Sequence, residues 1–467
     1  MSHGLPTQSL KKQMFEELKR RGDGPLNYKQ NTQKSVRARD ARAAEWPDFE
    51  DRRDRITNRR QSAVENLPAL HEQLVARWEE NGVTAHYAAD AGEAAGLVVG
   101  LIQKTGVDRI VKSKSMLTEE IGLNNALEQA GIHPVETDLG EYIVQLRGEV
   151  PSHITMPAMH LNRRDVGRLF AEKLGVPYTD DPPTLTRYAR EALRKEFLSA
   201  RVGICGVNFA VAETGHIATV TNEGNGRMVT SQPDMVIALM GWERVTQSLG
   251  DLAELWQLLS RSGTGQRTTV YLNLMQGPAE GPTGPREVHI VVVDNGRKKV
   301  HADREMQEVL RCIRCGACQN ACPVYRQVGG HPYGGVYAGP IGKVLEPALH
   351  GVDEAPHHPF ASSLCGACEE ICPVKIPIPK LLLDLRHKRV GTRSKHDPEH
   401  TVWRVYREVM SEPGRYEAAA RVARGAQRLF PGGAMPIPGW TDHREAPKFA
   451  AQSFREWYAG REQKDER

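Results

Sequence analysis

Apolar positions first recur at helical spacing over residues 56–81, where Val64, Leu67, Leu70, Leu74 and Trp78 share one face. Pro68 lies inside that run and predicts a kink or a break. Further on, the period changes. Residues 107–111 form a short apolar run of strand type, residues 117–129 return to helical spacing closed by Gly131, and residues 134–139 read as the next strand. That β-α-β succession predicts a parallel sheet. Helical patterns follow at 163–174, 184–200, 235–248 and 252–259. Strand patterns occupy 269–275, 288–293 and much of 208–221, with a turn at Glu213-Thr214-Gly215. Beyond Pro377 and Pro379 the chain reads as helix at 380–390 and again from about Thr401. Gly432, Gly433, Pro436 and Pro438 mark a loop, and the tail from Phe449 reads as a short helix.

These patterns divide the chain into an N-terminal helical extension (1–80), an α/β domain (81–298), a cysteine-bearing domain (299–390) and a helical C-terminal docking region (391–467). The fold class is α/β.

The 467 residues carry 62 Lys and Arg against 58 Asp and Glu, a net charge of +4. So balanced a surface gives no reason to expect nucleic acid as a partner. The best apolar run, residues 95–102, is short and broken by Gly96 and Gly100, so no transmembrane segment is expected. The basic N-terminus is not followed by the apolar stretch of a signal peptide, and a cytoplasmic protein is expected.

The cysteines change the picture. Of eight, Cys205 stands alone and the other seven lie between Cys312 and Cys372. Dense, repeated spacing points to metal rather than to disulfides. Cys312, Cys315, Cys318 and Cys322, followed by Pro323, form C-x2-C-x2-C-x3-C-P, the ferredoxin run. Cys365, Cys368 and Cys372, followed by Pro373, repeat it with Ser362 at the position of Cys312. Two separated C-x2-C pairs would suit zinc better than this unbroken run, and C-x-x-C-H for haem is absent.

In two-cluster ferredoxins the fourth cysteine of each run serves the other cluster. On that rule Cys312, Cys315, Cys318 and Cys372 hold one [4Fe–4S] cluster, and Cys322, Cys365 and Cys368 hold the second. Three thiolates fit a [3Fe–4S] cluster, or a [4Fe–4S] cluster whose fourth ligand is Ser362, Ser363 or water; two [4Fe–4S] clusters are the preferred reading. Arg311, Arg314, Arg326 and Lys375 flank the cysteines as tuning charges, a docking rim or solvated cations. His331, His350, His357 and His358 between the two runs read mostly as exposed loop residues, with one as a cluster ligand the minor alternative.

The α/β segment carries no nucleotide fingerprint, neither G-x-G-x-x-G nor G-x-x-x-x-G-K-[ST]. Gly224-Asn225-Gly226-Arg227 and Ser262-Gly263-Thr264-Gly265 read as ordinary turns able to cradle an anion. Cys205 reads as a small buried hydrophobe. No flavin motif is visible, and clusters pass single electrons. The chain therefore reads as an electron conduit with no catalytic residue of its own.

Three stretches carry a family resemblance: the paired cysteine runs with their Cys-Pro-Val ends, Val111-Lys-Ser-Lys-Ser-Met with Glu136-Thr-Asp-Leu-Gly-Glu-Tyr, and Glu213-Thr-Gly-His with Ser231-Gln-Pro-Asp. Together they resemble the family of lactate-utilisation iron–sulfur proteins, the B protein of a three-part bacterial system. The resemblance implies a lactate-utilisation domain folded like ribose-5-phosphate isomerase and CoA transferases, joined to a two-cluster ferredoxin-like domain. It also implies electron transfer during oxidation of L-lactate to pyruvate, beside a Cys-Cys-Gly-motif iron–sulfur subunit and a smaller lactate-utilisation subunit. A three-thiolate second cluster, taken as [4Fe–4S], is usual in that family. Service to another 2-hydroxy acid is the alternative, as is acyl or CoA transfer at Glu213 or Glu223. An iron–sulfur sensor would need a DNA-binding or signalling element, and none is visible.

Overall fold

The computed structural model describes residues 10–19, 24–392, 398–430, 441, 445–446 and 448–465. It separates into a large unit, Met1–Gly391, and a smaller one, Thr392–Arg467.

The large unit is built on a six-stranded, all-parallel sheet. Its strands are β1 (Thr84–Ala88), β2 (Arg109–Lys112), β3 (His133–Glu136), β4 (Val202–Gly206), β7 (Met235–Gly241) and β10 (Glu287–Val293), in the order β1-β10-β7-β4-β2-β3. A second sheet contains β5 (Phe209–Val211), β6 (Ile217–Thr221), β8 (Val245–Thr246) and β9 (Tyr271–Met275), in the order β8-β5-β6-β9. The parallel sheet is covered on both faces, as parallel sheets require. On β7, Ile237 and Leu239 face the helices Ala91–Gln103 and Leu123–Gln129, while Val236, Ala238 and Met240 join the core on the other side. Cys205, on β4, lies in that second core, fully buried as expected.

Strand β7 corrects the sequence reading of a helix at 235–248. All seven of its residues are buried, so the apolar run is continuous, and continuous runs carry no period to separate strand from helix. The helical pattern at 117–129 breaks into Met116–Glu120 and Leu123–Gln129 at Gly122, whose φ is +64°. The strand expected at 134–139 ends at Glu136, because Asp138 caps a new helix, Leu139–Arg147, by accepting the Gly140 and Glu141 amides. The helix Arg163–Leu174 and the break near Pro68 match expectation: Phe49–Glu65 and Leu67–Glu80 are separate helices, with Pro68 in the first turn of the second.

The helix Phe49–Glu65 stitches the second sheet to the cysteine-bearing region. Arg60 Nη1 donates to the Val245 carbonyl at 2.6 Å, and its Nη2 to the Leu310 carbonyl at 3.0 Å. Arg53 Nη2 donates to the Glu370 and Cys372 carbonyls at 2.9 and 2.6 Å. Both arginines are buried. Burial lowers Arg60 to about 10, so it remains charged at neutral pH.

The smaller unit contains the helices Pro398–Met410, Pro413–Gln427 and Phe454–Asp465, the last two joined by Arg424–Glu456 at 2.9 Å and Arg455–Glu417 at 3.1 Å. The expected loop glycines and prolines at 432–438 lie outside the described residues. Among the described residues no helix is long and apolar enough to cross a membrane.

Candidate metal centre

The two cysteine runs adopt the same backbone. Arg314 and Gly316 flank Cys315 with φ of +59° and +77°; Leu364 and Gly366 flank Cys365 with +56° and +84°. Left-handed non-glycine residues cost energy and persist where surrounding structure holds them. Here they curl each loop tightly around its cysteines. A short helix follows in each run, Ala317–Ala321 in the first and Ala367–Glu370 in the second. Cys322 follows as the C-cap of the first helix.

One cavity is lined by Cys312, Cys315, Cys318 and Cys372 together. Ile154, Ile313, Ile341, Val374, Ile376 and Ile378 supply its apolar wall. The first three cysteines come from one run and the fourth from the other, the crossed assignment. Burial raises the thiols of Cys315 and Cys318 well above the usual range, and each feels Cys312 and Cys372 as neighbours. Cys372 is pushed up to about 11, by burial first and then by Cys312. Thiols so buried and crowded need positive charge to ionise, as a cluster's iron would supply. Cys368 is likewise pushed up to about 12 by burial and then by Cys322, with Cys365 also near it. Among the described residues no three His, Cys, Asp or Glu side chains converge on a single-ion position.

Backbone amides point at the sulfurs. Arg314 donates to Cys312 Sγ at 3.4 Å, Tyr325 to Cys322 at 3.5 Å and Ile376 to Cys372 at 3.4 Å. Such bonds stabilise negative charge on thiolate sulfur.

The flanking cations are engaged within the fold. Arg314 is buried, bonded to Glu243 at 3.3 Å and stacked 4.3 Å over the Tyr337 ring. Arg311, also buried, bonds Glu308 and the Lys375 carbonyl, Lys375 pairs with Asp54, and Arg326 donates to the Asn320 carbonyl. His331 donates to the Val150 carbonyl at 2.9 Å and His350 pairs with Glu346.

Two features escape a reading of the sequence. Lys343, buried in the helix Gly339–His350, holds its Nζ 3.9 Å from Cys322 Sγ, with Cys368 and Cys318 also near. Its sequence signal is a lone cation between Ile341 and Val344-Leu345. The second is a buried ion network with no local signal. Arg297 bonds Glu120 and Glu243 at 2.6 Å each, Tyr337 donates to Glu120 at 2.6 Å, and Arg244 and Arg314 share Glu243. Three guanidinium groups hold Glu243 well below the usual carboxylate range despite its burial.

A larger cleft of about 550 Å³ opens beside this network and reaches Cys315. Both glycine-rich segments contribute to it, through Asn225 and through Gly263 and Thr264. Glu223 lines it, accepting the Leu139 amide at 3.2 Å, whereas Glu213 lies outside, at an exposed turn bonded to the Leu249 amide.

A parallel sheet joined to paired cluster-type cysteine runs defines an iron–sulfur protein with an α/β partner domain, and the comparisons agree. The LUD domain family matches residues 71–293, the 4Fe-4S dicluster domain residues 308–376, and the family described as lactate utilisation protein B, C-terminal, residues 385–463. The chain is 44% identical over 432 residues to Lactate utilization protein B of Oceanobacillus iheyensis, covering 90% of both chains. It is 43% identical to the Bacillus subtilis protein of that name, covering 92% of both, and 42% identical to an uncharacterized electron transport protein of Escherichia coli, covering 88% of both. The chain belongs to the lactate utilisation protein B family.

Proposed function

We propose that this chain is the electron-transfer iron–sulfur subunit of a complex that oxidises L-lactate to pyruvate. The observation that carries the reading is the single cavity lined by Cys312, Cys315, Cys318 and Cys372, which draws ligands from both runs. Those four hold one [4Fe–4S] cluster, and Cys322, Cys365 and Cys368 hold a second. When bound, the clusters accept and release one electron each. The protein's residues set the conditions for that exchange. Amides from Arg314, Tyr325 and Ile376 stabilise thiolate charge. Lys343 places a buried cation at the second site, favouring its reduced form. The names of the relatives support lactate as the fuel and companion lactate-utilisation subunits as partners. The unit of residues 392–467, with Val402, Trp403 and Tyr406 exposed on one helix, is the proposed docking region for them, and the cytoplasm the proposed location.

Anaerobic EPR with iron and sulfide quantitation on the purified protein tests the cofactor content. About eight iron per chain, with a signal only after reduction, is expected. About two zinc and no sulfide would overturn the reading. Mixing with the companion subunits and L-lactate should then reduce the clusters; lack of reduction by lactate, with reduction by another 2-hydroxy acid, would reassign the substrate.

A further inference from the structure

The large cleft sits where an open parallel sheet binds ligands. In the order β1-β10-β7-β4-β2-β3, the neighbours β2 and β4 send their connections in opposite directions, to β3 and to β7. The crevice outside the C-terminal ends of two such strands is the switch point of the sheet. Ser113 and Lys114 follow β2, Gly206 ends β4, and all three line the cleft. Arg314 and Cys315, from the first cysteine loop, line it as well.

Four residues lining the cleft each carry a buried polar atom without a hydrogen-bond partner among the described residues. The atoms are Ser113 Oγ, Lys114 Nζ, Asn225 Oδ1 and Arg314 Nη1. Ser113 and Asn225 are 2% and 5% exposed, and the Arg314 side chain 7%. Buried polar groups are normally paired, so four unpaired ones in the wall of one cleft mark it as a candidate ligand site. Two of the four are cations and one is a hydroxyl donor, a set that suits a carboxylate. Among the described residues Lys114 has one acidic neighbour within 4 Å, Glu141 at 3.7 Å. Burial raises Glu141 to about 8, so this neighbour is mostly neutral at neutral pH; Asp138 and Glu223 also line the cleft, and burial raises Glu223 to about 7. The side-chain amide of Asn225 serves a hydroxyl as acceptor or, turned over, an oxo group as donor.

We propose that this cleft binds a small 2-hydroxy or 2-oxo carboxylate between Lys114 and Arg314, beside the Cys315 loop. The inference rests on the electron-transfer reading for its choice of acid, and on the cleft alone for the carboxylate. It puts the organic anion against the protein wall of the first cluster site, in a chain without a flavin motif. At about 550 Å³ the cleft exceeds what a three-carbon acid fills, so longer 2-hydroxy acids should bind too.

Calorimetry on the purified, cluster-loaded protein tests this with L-lactate, pyruvate, 2-hydroxybutyrate and inorganic phosphate. One site per chain for the three acids is expected. Lys114→Gln and Ser113→Ala should each weaken binding, the former roughly tenfold or more, with iron content unchanged. Pyruvate should also alter the EPR line shape of the reduced protein, and Lys114→Gln should abolish that change. No binding by any acid, affinity unaltered in both variants, or binding by phosphate alone would overturn the proposal. These results leave the electron-transfer reading standing if lactate and the companion subunits still reduce the clusters. Clusters that assemble but are never reduced would sink that reading instead, whatever the cleft binds.

Discussion

Ser362 repeats the hydrogen bond of Cys312. The Leu364 amide donates to Ser362 Oγ at 3.2 Å, just as the Arg314 amide donates to Cys312 Sγ at 3.4 Å. The second loop thus keeps the form of the first, with an oxygen where the first has a sulfur. A cluster corner without a thiolate is the corner from which iron is lost on oxidation. Mild ferricyanide treatment of the wild-type protein should therefore release about one iron and produce a [3Fe–4S] EPR signal. Ser362→Cys should retain that iron and stay silent. A [3Fe–4S] signal of equal size in the variant would refute the equivalence.

Lys343 is the charge nearest the second cysteine set, with its Nζ 3.9 Å from Cys322 Sγ. A buried cation lowers the cost of adding an electron nearby. Lys343→Met keeps the bulk and removes the charge, and should lower one midpoint potential by on the order of 100 mV. Potentiometric titration followed by EPR reads this directly. The other cluster should move much less, and equal shifts in both would point to a general loss of structure.

The ion network sets the stability of the join between the sheet and the cysteine region. Glu243 faces Arg297, Arg244 and Arg314 at 2.6 to 3.5 Å, nearly all of it buried. Glu243→Gln would leave guanidinium charge uncompensated in the interior, at a cost of about 3–5 kcal/mol. Urea denaturation should show the loss, with Glu280→Gln, an exposed loop change, as the near-neutral control. An effect below about 1 kcal/mol would mean that water reaches the network.

What the sequence discloses follows from where each signal is stored. The cysteine spacing is local, so the two runs can be read residue by residue. The helix Arg163–Leu174 has polar ends and a capping box at Asn162 and Asp165, both local signals. Strand β7 reads as helix because burial on both faces removes the alternation that marks a strand. Edge strand β1 escapes for a different reason: four of its five residues are exposed or half-buried, which gives no apolar pattern. The Arg297–Glu120–Glu243 network joins positions 54 to 177 residues apart, and Lys114, Asn225 and Arg314 meet at the cleft only through the strand order. No local pattern encodes such pairings.

Glu141 gives the stability a pH dependence of definite sign. The side chain is 5% exposed and burial is the main cause that raises it to about 8, against about 4.3 in an unfolded chain. Between those values the unfolded chain has released a proton that the folded protein still holds. Stability therefore falls as pH rises from about 4.3 to about 8, and is level outside that window. Glu141→Gln removes the titration and leaves the neutral shape in place. The stability of the variant relative to wild type should grow across that window and then stay constant. Urea midpoints for both proteins at pH 5, 6, 7 and 8 measure the difference, which cancels the other titrating groups. A constant difference would mean that Glu141 is ionised in the folded protein and fully paired with Lys114, 3.7 Å away.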